Sequence, residues 1–199
     1  CIRDSGTIEE GDLFLTTDPY ACNGAISHIN DWLLLRPIFK DGRLIAYAAM
    51  FGHMTDVGGK VPGSLPTDAR EIFEEGIRVP PLKIFKNDEL QSDVLNLILH
   101  NSRMPTWNRS DFNALVAAMR TAEKRVIEMA ERFGDDEYYS ALDELLARNK
   151  RAMGKLIKDT VPTKKQYFED YICDDGLGMG PYRICLLYTS PSPRDSASS

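Results

Sequence analysis

Two of the three histidines in this 199-residue chain lie close in sequence to aspartates. His28 precedes Asp31 by three residues, and His53 precedes Asp56 by the same spacing. Neutral imidazole offers a directed nitrogen lone pair and carboxylate neutralises charge, so this set suits a divalent metal such as Mn, Zn or Fe. Three protein ligands would leave one coordination position free, where the metal can polarise a substrate carbonyl.

A simpler interpretation of the same residues is also open. Both histidines could make ordinary hydrogen bonds at strand ends, with Asp31 and Asp56 capping turns. The segment contains neither of the tight HxxxH and CxxC spacings that identify a metal site more specifically. The residue pattern alone therefore leaves metal binding and a structural role as alternatives.

Two apolar runs, residues 32–39 and 44–51, predict the strands that would position these side chains. They are separated by a short turn containing Gly42, which tolerates a positive φ and so predicts a hairpin. In a hairpin the start of the first strand lies beside the end of the second. The segment of His28 is therefore expected to approach that of His53. Because the runs are continuously apolar, we expect the strands to be covered on both faces.

Three glycines follow, at Gly58, Gly59 and Gly63. A phosphate-binding P-loop is poorly supported, because no Lys-Ser/Thr pair follows the glycines and no helix opens directly from them. A flexible or tightly turned lid over a nearby site is the alternative.

The remainder of the chain changes from helical to extended periodicity. Apolar spacing predicts helices over residues 89–101, 110–133 and 137–157, the last two forming a helical hairpin. Residues 166–173 and 182–185 then predict two strands of a further hairpin. The predicted fold class is mixed α/β (α+β-like): mostly antiparallel N-terminal strands and loops, a helical hairpin, and the start of a further β-hairpin in a truncated domain.

This pattern divides the chain into three parts. Residues 1–157 form the N-terminal portion of the domain, and residues 158–185 begin a following β-rich portion. Residues 186–199 have no periodicity that could bury a face and are predicted to be a non-native or disordered tail. Their sequence also resembles the translated adapter read-through found at the ends of metagenomic genes.

Composition excludes several classes of protein. The formal net charge of −6 argues against a nucleic-acid or anionic-membrane surface, which needs clustered Lys and Arg. The apolar runs are too short to cross a bilayer, and no secretion signal is visible. We therefore expect a soluble cytoplasmic protein, with its four scattered cysteines free.

Residues 11–20 read GDLFLTTDPY and resemble the GDxxxTNDPY stretch of the hydantoinase B/oxoprolinase family. That family continues with a loop histidine before an aspartate and strand, then a second histidine, an aspartate and a glycine pair. The matching residues here are His28 with Asp31, His53, Asp56 and Gly58-Gly59. The likeness continues through segments 62–64, 70–81, 168–171 and 174–176, and it extends in order over about residues 5–184. It identifies the chain as an internal fragment of such a subunit.

The resemblance implies a metal-dependent enzyme component. Related carboxylase subunits hold a divalent metal through histidines and an aspartate, which by position are His28, His53 and Asp56, with Asp31 as a further candidate. The family also implies a hydantoinase A-type partner that carries ATP and Mg, and hence a hetero-oligomer. The fragment alone is expected to be inactive.

Three functions follow as expectations. The first is an ATP-dependent cyclic amide hydrolase that opens an N-methylhydantoin or 5-oxoproline ring. The second is an ATP-dependent carboxylase of small ketones of the acetone or acetophenone type, and the third is a non-catalytic scaffold subunit. The sequence departs from the family at Thr17, where Asn is usual, and in the loop 21–25, which leaves the substrate open.

Overall fold

The computed structural model describes residues 8–162 and 166–188, which divide into two compact units, one ending at Phe133 and one starting at Gly134. The described part of the first unit contains β1 (Leu13–Thr16), β2 (Asp31–Lys40), β3 (Arg43–His53), a 3₁₀ helix (Ile72–Glu74), β4 (Leu82–Lys86), β5 (Glu89–Leu90), α1 (Ser92–His100) and α2 (Pro105–Phe133). That of the second contains α3 (Asp135–Thr160), β6 (Gln166–Ile172) and β7 (Tyr182–Tyr188). The mixed α/β class with antiparallel N-terminal strands is confirmed.

The five strands of the first unit form one sheet in the order β3-β2-β1-β4-β5. All pairs are antiparallel, and the short, fully buried β1 lies at the centre between β2 and β4. The predicted β2–β3 hairpin is confirmed. Its turn places Asp41 and Gly42 at φ values of 51° and 73°, the two positive values that the right-handed twist of a hairpin favours.

One face of this sheet packs against α2. The Trp32 and Phe112 rings lie 6.3 Å apart in an edge-on arrangement, and Phe85 stacks on Phe112 at 6.4 Å. Gly52 allows a close approach, because a Cβ there would lie 2.9 Å from the Leu115 side chain. Trp32 and Phe112 are each only 1% exposed, so these aromatic contacts form the centre of the core.

The other face of the sheet differs from the expectation of full coverage. Near its centre Phe14 is buried, and Leu33 and Leu35 are half-buried. On the edge strand β3, Tyr47 and Phe51 are 47% and 63% exposed. The continuous apolar runs therefore predicted the strands correctly, but the prediction that both faces of the sheet are covered was wrong for the outer part of this face.

A buried arginine links the sheet to α2 on the packed side. Arg36 is 4% exposed, and its guanidinium bonds both Asp88 and Glu123 at 2.9 Å. Burial opposes the charged form, but the hydrogen bonds and charges of Glu123 and Asp88 raise the pKa of Arg36. The charge is thus compensated where it is buried, as burial of an ion requires.

In the second unit α3 follows Gly134, whose φ is 86°. The first turn of α3 contains Asp135, Asp136 and Glu137, whose charges are favourable at a helix N-terminus. β6 and β7 pair as the predicted antiparallel hairpin. Within residues 8–162 and 166–188, no helix is both long and apolar enough to cross a membrane.

Several predicted boundaries were wrong. Residues 89–90 form β5, so the helix expected from residue 89 begins only at Ser92. α2 begins at Pro105, five residues before the predicted helix start at residue 110, because proline is well suited to a first helical turn. β7 continues to Tyr188, into the segment predicted as a tail. The rest of that segment, 189–199, lies outside the described residues.

Candidate functional site

The β2–β3 hairpin brings Asp31 and His53 together at one edge of the sheet. The two residues are cross-strand partners at the last pair of the ladder. His53 Nδ1 lies 2.8 Å from Asp31 Oδ1. The Asp31 side chain is 10% exposed and that of His53 is 45% exposed, so a buried carboxylate holds an accessible imidazole.

His28 joins this pair from the loop that precedes β2. His28 lies in a short turn that is closed by a backbone hydrogen bond from Asp31 N to His28 O at 3.1 Å. Its ring centroid lies 6.0 Å from that of His53, and the two ring planes are nearly perpendicular. His28 is also exposed, so both imidazoles are accessible at the same edge.

The donor chemistry of these three side chains fits a divalent cation. When a carboxylate accepts a hydrogen bond from Nδ1, the tautomer of the imidazole is fixed. The lone pair of Nε2 is then free to bind a metal. With metal–nitrogen distances of about 2 Å, the rings of two ligands on one ion lie roughly 5–6 Å apart. The observed His28–His53 separation is within that range. As arranged, however, residues 8–162 and 166–188 contain no group of three His, Cys, Asp or Glu side chains that could hold an ion.

Asp56, the fourth predicted ligand, has a different set of partners. Its Oδ1 accepts hydrogen bonds from the backbone N–H groups of Gly58 and Arg103, at 3.0 and 2.9 Å. Its Oδ2 accepts from Gly63 N and from the Arg103 guanidinium, both at 2.9 Å. These four donors match the lone-pair sites of a carboxylate, so Asp56 organises the loop that follows β3.

Those hydrogen bonds determine the charge state of Asp56. Burial would raise the pKa of its carboxyl, but backbone hydrogen bonds, led by that from Arg103, and the Arg103 side chain together lower that pKa below its usual value. Arg103 was not singled out by sequence. It lies 47 residues from Asp56 between two helices, in a segment without periodicity or motif.

The paired glycines of this loop are closely packed. A Cβ on Gly58 would lie 2.7 Å from the backbone oxygen of Asn101, and one on Gly59 would lie 2.4 Å from that of Glu74. Both residues also have positive φ values of 94° and 75°. The tightly turned form of the predicted loop is therefore the one that the structure shows.

The segment Thr17–Tyr20 is held by side-chain hydrogen bonds of its own. Thr17 Oγ1 donates to Ile77 O at 2.9 Å and accepts from Val79 N at 2.8 Å. Asp18 Oδ1 accepts from the backbone N–H of Tyr20 at 3.0 Å. The threonine that departs from the family motif thus ties this segment to residues 77–79, which precede β4.

An open cavity of about 500 Å³ lies beside this segment. Ser27, the residue before His28, is part of its wall, which connects the cavity to the histidine loop by chain continuity. The wall offers an exposed aromatic ring, a carboxylate and an amide together with apolar groups. It is formed by Pro19, Tyr20, Asn23, Gly24, Ile26, Ser27, Ile72 and Glu75.

The site is a pair of histidines at the edge of an antiparallel sheet. Comparison with known proteins identifies the family to which the chain belongs. Residues 1–192 match the hydantoinase B/oxoprolinase family, and the chain belongs to that family. This confirms the resemblance carried by residues 11–20 and by the ordered histidines, aspartates and glycines after them.

Two relatives and one solved structure show how far the similarity extends. The chain is 36% identical over 177 residues to the caprolactamase subunit beta of Pseudomonas jessenii, covering 89% of the chain and 30% of the relative. It is 29% identical over 181 residues to the acetophenone carboxylase delta subunit of Aromatoleum aromaticum, covering 90% and 26%. The crystal structure of the ATP-dependent caprolactamase from Pseudomonas jessenii matches with a TM-score of 0.75 and 31% identity, over 92% of this chain and 33% of that one. The chain thus spans about a third or less of these proteins.

Proposed function

We propose that this chain is part of the B-type subunit of an ATP-dependent hydrolase that opens cyclic amides, such as a hydantoin, 5-oxoproline or lactam ring. The observation that carries the proposal is the pair of accessible imidazoles, His28 and His53, beside the buried Asp31 carboxylate. Family membership and the similarity to a caprolactamase subunit support the choice of cyclic amides as the substrate class.

In this proposal His28 and His53 supply the imidazole ligands for a divalent cation (Mn, Zn or Fe), and the Asp31 carboxylate supplies a compensating negative charge behind His53 and not a bond to the ion. Such an ion would supply Lewis-acid polarisation of a substrate carbonyl. Asp31 also fixes the His53 ring, since Oδ1 engages Nδ1 and leaves Nε2 facing outward. Asp56 has no role as a ligand here, because four hydrogen-bond donors already occupy its oxygens.

The cavity beside the histidine loop is the proposed place for the substrate ring. The Glu75 carboxylate can accept a hydrogen bond from an amide N–H, and the Tyr20 ring, 72% exposed, offers a flat surface for the ring atoms. A cavity of about 500 Å³ is in the range of small-molecule sites. Because Ser27 lines the cavity and directly precedes His28, a ring bound there would lie close to the histidine loop.

ATP is assigned to a partner, a hydantoinase A-type subunit that binds it with Mg. Transfer of the γ-phosphoryl group to the amide oxygen would yield ADP and an activated ring. Attack by one water at the activated carbon would break the C–N bond and open the ring to an acyl phosphate. A second water would then hydrolyse the acyl phosphate to a carboxylate and free phosphate. Support for a hetero-oligomer comes from the relatives, which are themselves named as subunits.

Metal content and coupled turnover test this proposal together. The full reading frame containing this chain, co-expressed with the partner, should hold a stoichiometric divalent ion and release phosphate in proportion to ring-opened product. The His53→Ala variant should lose both, whereas Arg125→Met, on the exposed side of α2, should lose neither. A panel of hydantoins, 5-oxoproline and lactams that gives no ATP-linked hydrolysis would refute the hydrolase.

A ketone carboxylase is the second candidate, favoured by the similarity to the acetophenone carboxylase delta subunit. Product formation that depends on bicarbonate and a ketone would select it over the hydrolase. A well-folded complex without bound metal, and with full partner activity after His53→Ala, would instead indicate a non-catalytic scaffold subunit.

A further inference from the structure

Arg103 connects the start of α2 with the loop that follows β3. Its guanidinium donates to Asp56 Oδ2 at 2.9 Å and to the backbone oxygens of Gly58 and Val61, both at 3.1 Å. A fourth hydrogen bond, at 2.7 Å, goes to Gly59 O. One planar group therefore binds four acceptors spread over six consecutive residues of the loop.

Both ends of the same loop are tied to the strand that carries Asp31. Asn30 Nδ2 donates to Met54 O at 3.0 Å and to Gly63 O at 3.3 Å, while Met54 N donates to Asn30 O at 2.8 Å. Asn30 is fully buried and immediately precedes Asp31, and Met54 immediately follows His53. A displacement of the loop is thus transmitted to the backbone on both sides of the His53–Asp31 pair.

Other contacts would hold the loop to α2 without Arg103. Ser102 Oγ and Asn108 Nδ2 both donate to Asp56 O, at 2.7 and 2.6 Å. These two bonds fix the backbone at Asp56 but do not reach Gly59 or Val61. The loop is also held to the segment before β4, because Ile77 N donates to Val57 O at 3.0 Å and Lys60 N donates to Glu74 O at 2.8 Å. Loss of the guanidinium therefore leaves these contacts in place and removes those that join Gly58, Gly59 and Val61 to the segment before α2.

We propose that Arg103 is a positioning residue that sets the place of His53 by fixing the loop over residues 54–63. The inference rests on the proposed role of His53 in the site. Lysine would satisfy only part of the arrangement, because a single ammonium group lacks the planar fork that meets four acceptors at once. In this role Arg103 acts through its hydrogen bonds to the loop and touches neither substrate nor metal.

The test compares Arg103→Met, Arg103→Lys and Arg125→Met in the ¹⁵N-labelled 199-residue chain. Arg125 is a matched control, since it lies on α2 with a 73% exposed side chain and pairs with Glu128, three residues along the same helix. The ring-nitrogen signals of the histidines are recorded in metal-free protein by long-range ¹H–¹⁵N NMR. The dissociation constant for Mn²⁺ is measured separately, well below each variant's unfolding temperature.

We expect Arg103→Met to shift the ring-nitrogen signals of His53 and to weaken Mn²⁺ binding by about tenfold, the effect of losing an outer-shell contact. Arg103→Lys should be intermediate, and Arg125→Met should match the wild type.

A lower unfolding temperature with unchanged His53 signals and Mn²⁺ affinity would overturn the proposal, since it would show a purely structural role. If Arg103→Met does not fold, Arg103→Lys decides by the same readouts. If the wild type binds no Mn²⁺, the proposed metal fails, while the His53 signals alone still decide the role of Arg103.

Discussion

Asp31 and Asp56 are both buried aspartates that follow a histidine by three residues, yet the structure gives them opposite surroundings. Asp31 faces an exposed imidazole, whereas Asp56 is enclosed by backbone N–H groups and a guanidinium. Both were candidate metal ligands from the sequence, Asp56 by its position in the family pattern and Asp31 as a further candidate. The two aspartates differ because Arg103 contacts Asp56, and this contact between residues 47 positions apart cannot be read from a short sequence pattern.

For Asp31 we predict a loss of metal affinity on substitution. Asp31→Asn keeps the size of the side chain but removes the charge that faces His53. We expect the affinity for Mn²⁺ to fall by about 10–100-fold, measured by isothermal titration calorimetry. Asp41→Asn is the matched control, because Asp41 is exposed on the hairpin turn and asparagine tolerates its positive φ. Equal affinities in the two variants would remove Asp31 from the site.

For Asp56 we predict a pH-dependent loss of stability. Since its folded-state pKa is lowered, the carboxylate stabilises the folded protein above the unfolded pKa of about 4. That stability is lost as the pH falls through the lower, folded-state pKa. Asp56→Asn should therefore reduce the free energy of unfolding by about 1–3 kcal/mol at pH 7. The difference from wild type should shrink towards pH 2 in urea unfolding experiments, and a difference independent of pH would contradict the assignment.

At the scale of elements, β2 and β3 were predicted well because each is an apolar run bounded by turn residues. The sheet order was not predicted, because β1 pairs with β4 across more than sixty residues that contain loops of irregular spacing. Residues 89–101 were assigned wholly to a helix, since an apolar pattern of that length does not distinguish a helix from a short strand followed by one. The two residues of β5 are held by the turn at Asn87 and Asp88, both with positive φ.

The core between the sheet and α2 should depend strongly on Phe112. Phe112→Ala removes a ring that contacts both Trp32 and Phe85, and we expect a loss of about 3–5 kcal/mol in the free energy of unfolding. Phe73→Ala, at a ring that is 66% exposed, should cost less than about 1 kcal/mol. Chemical denaturation of both variants measures this. Similar losses would show that α2 does not form the main packing layer.

The packing of the loop after β3 can be tested by comparing Gly59, which lies in that loop, with Gly24, which lies in the loop before β2. Gly24 and Gly59 both have a φ of 75°, but a Cβ on Gly24 would meet nothing within 4 Å, whereas one on Gly59 would meet Glu74 O at 2.4 Å. Gly24→Ala should therefore cost only the left-handed strain of about 1–2 kcal/mol. Gly59→Ala should cost clearly more in the same urea titration, and equal costs would show that the loop can move away.

At the scale of the whole molecule, all described contacts of His28, Asp31, His53, Asp56 and Arg103 lie within the first unit. We predict that a chain ending at Phe133 still unfolds cooperatively and keeps the wild-type histidine ring signals in NMR spectra. The reason is that the aromatic core and the site contacts are complete within it. A shortened chain without a cooperative transition would show that the second unit is needed for folding.

The bond between Asp56 and Arg103 has a consequence for the order of assembly during synthesis. The β2–β3 hairpin is local in sequence and can form as soon as its strands leave the ribosome, because short loops close quickly. The loop beyond it must wait until Arg103, 47 residues later, has emerged. We therefore expect the sheet edge to remain immature on the nascent chain until α2 is being made, so that the loop over residues 54–63 reaches its final geometry only after the hairpin has formed.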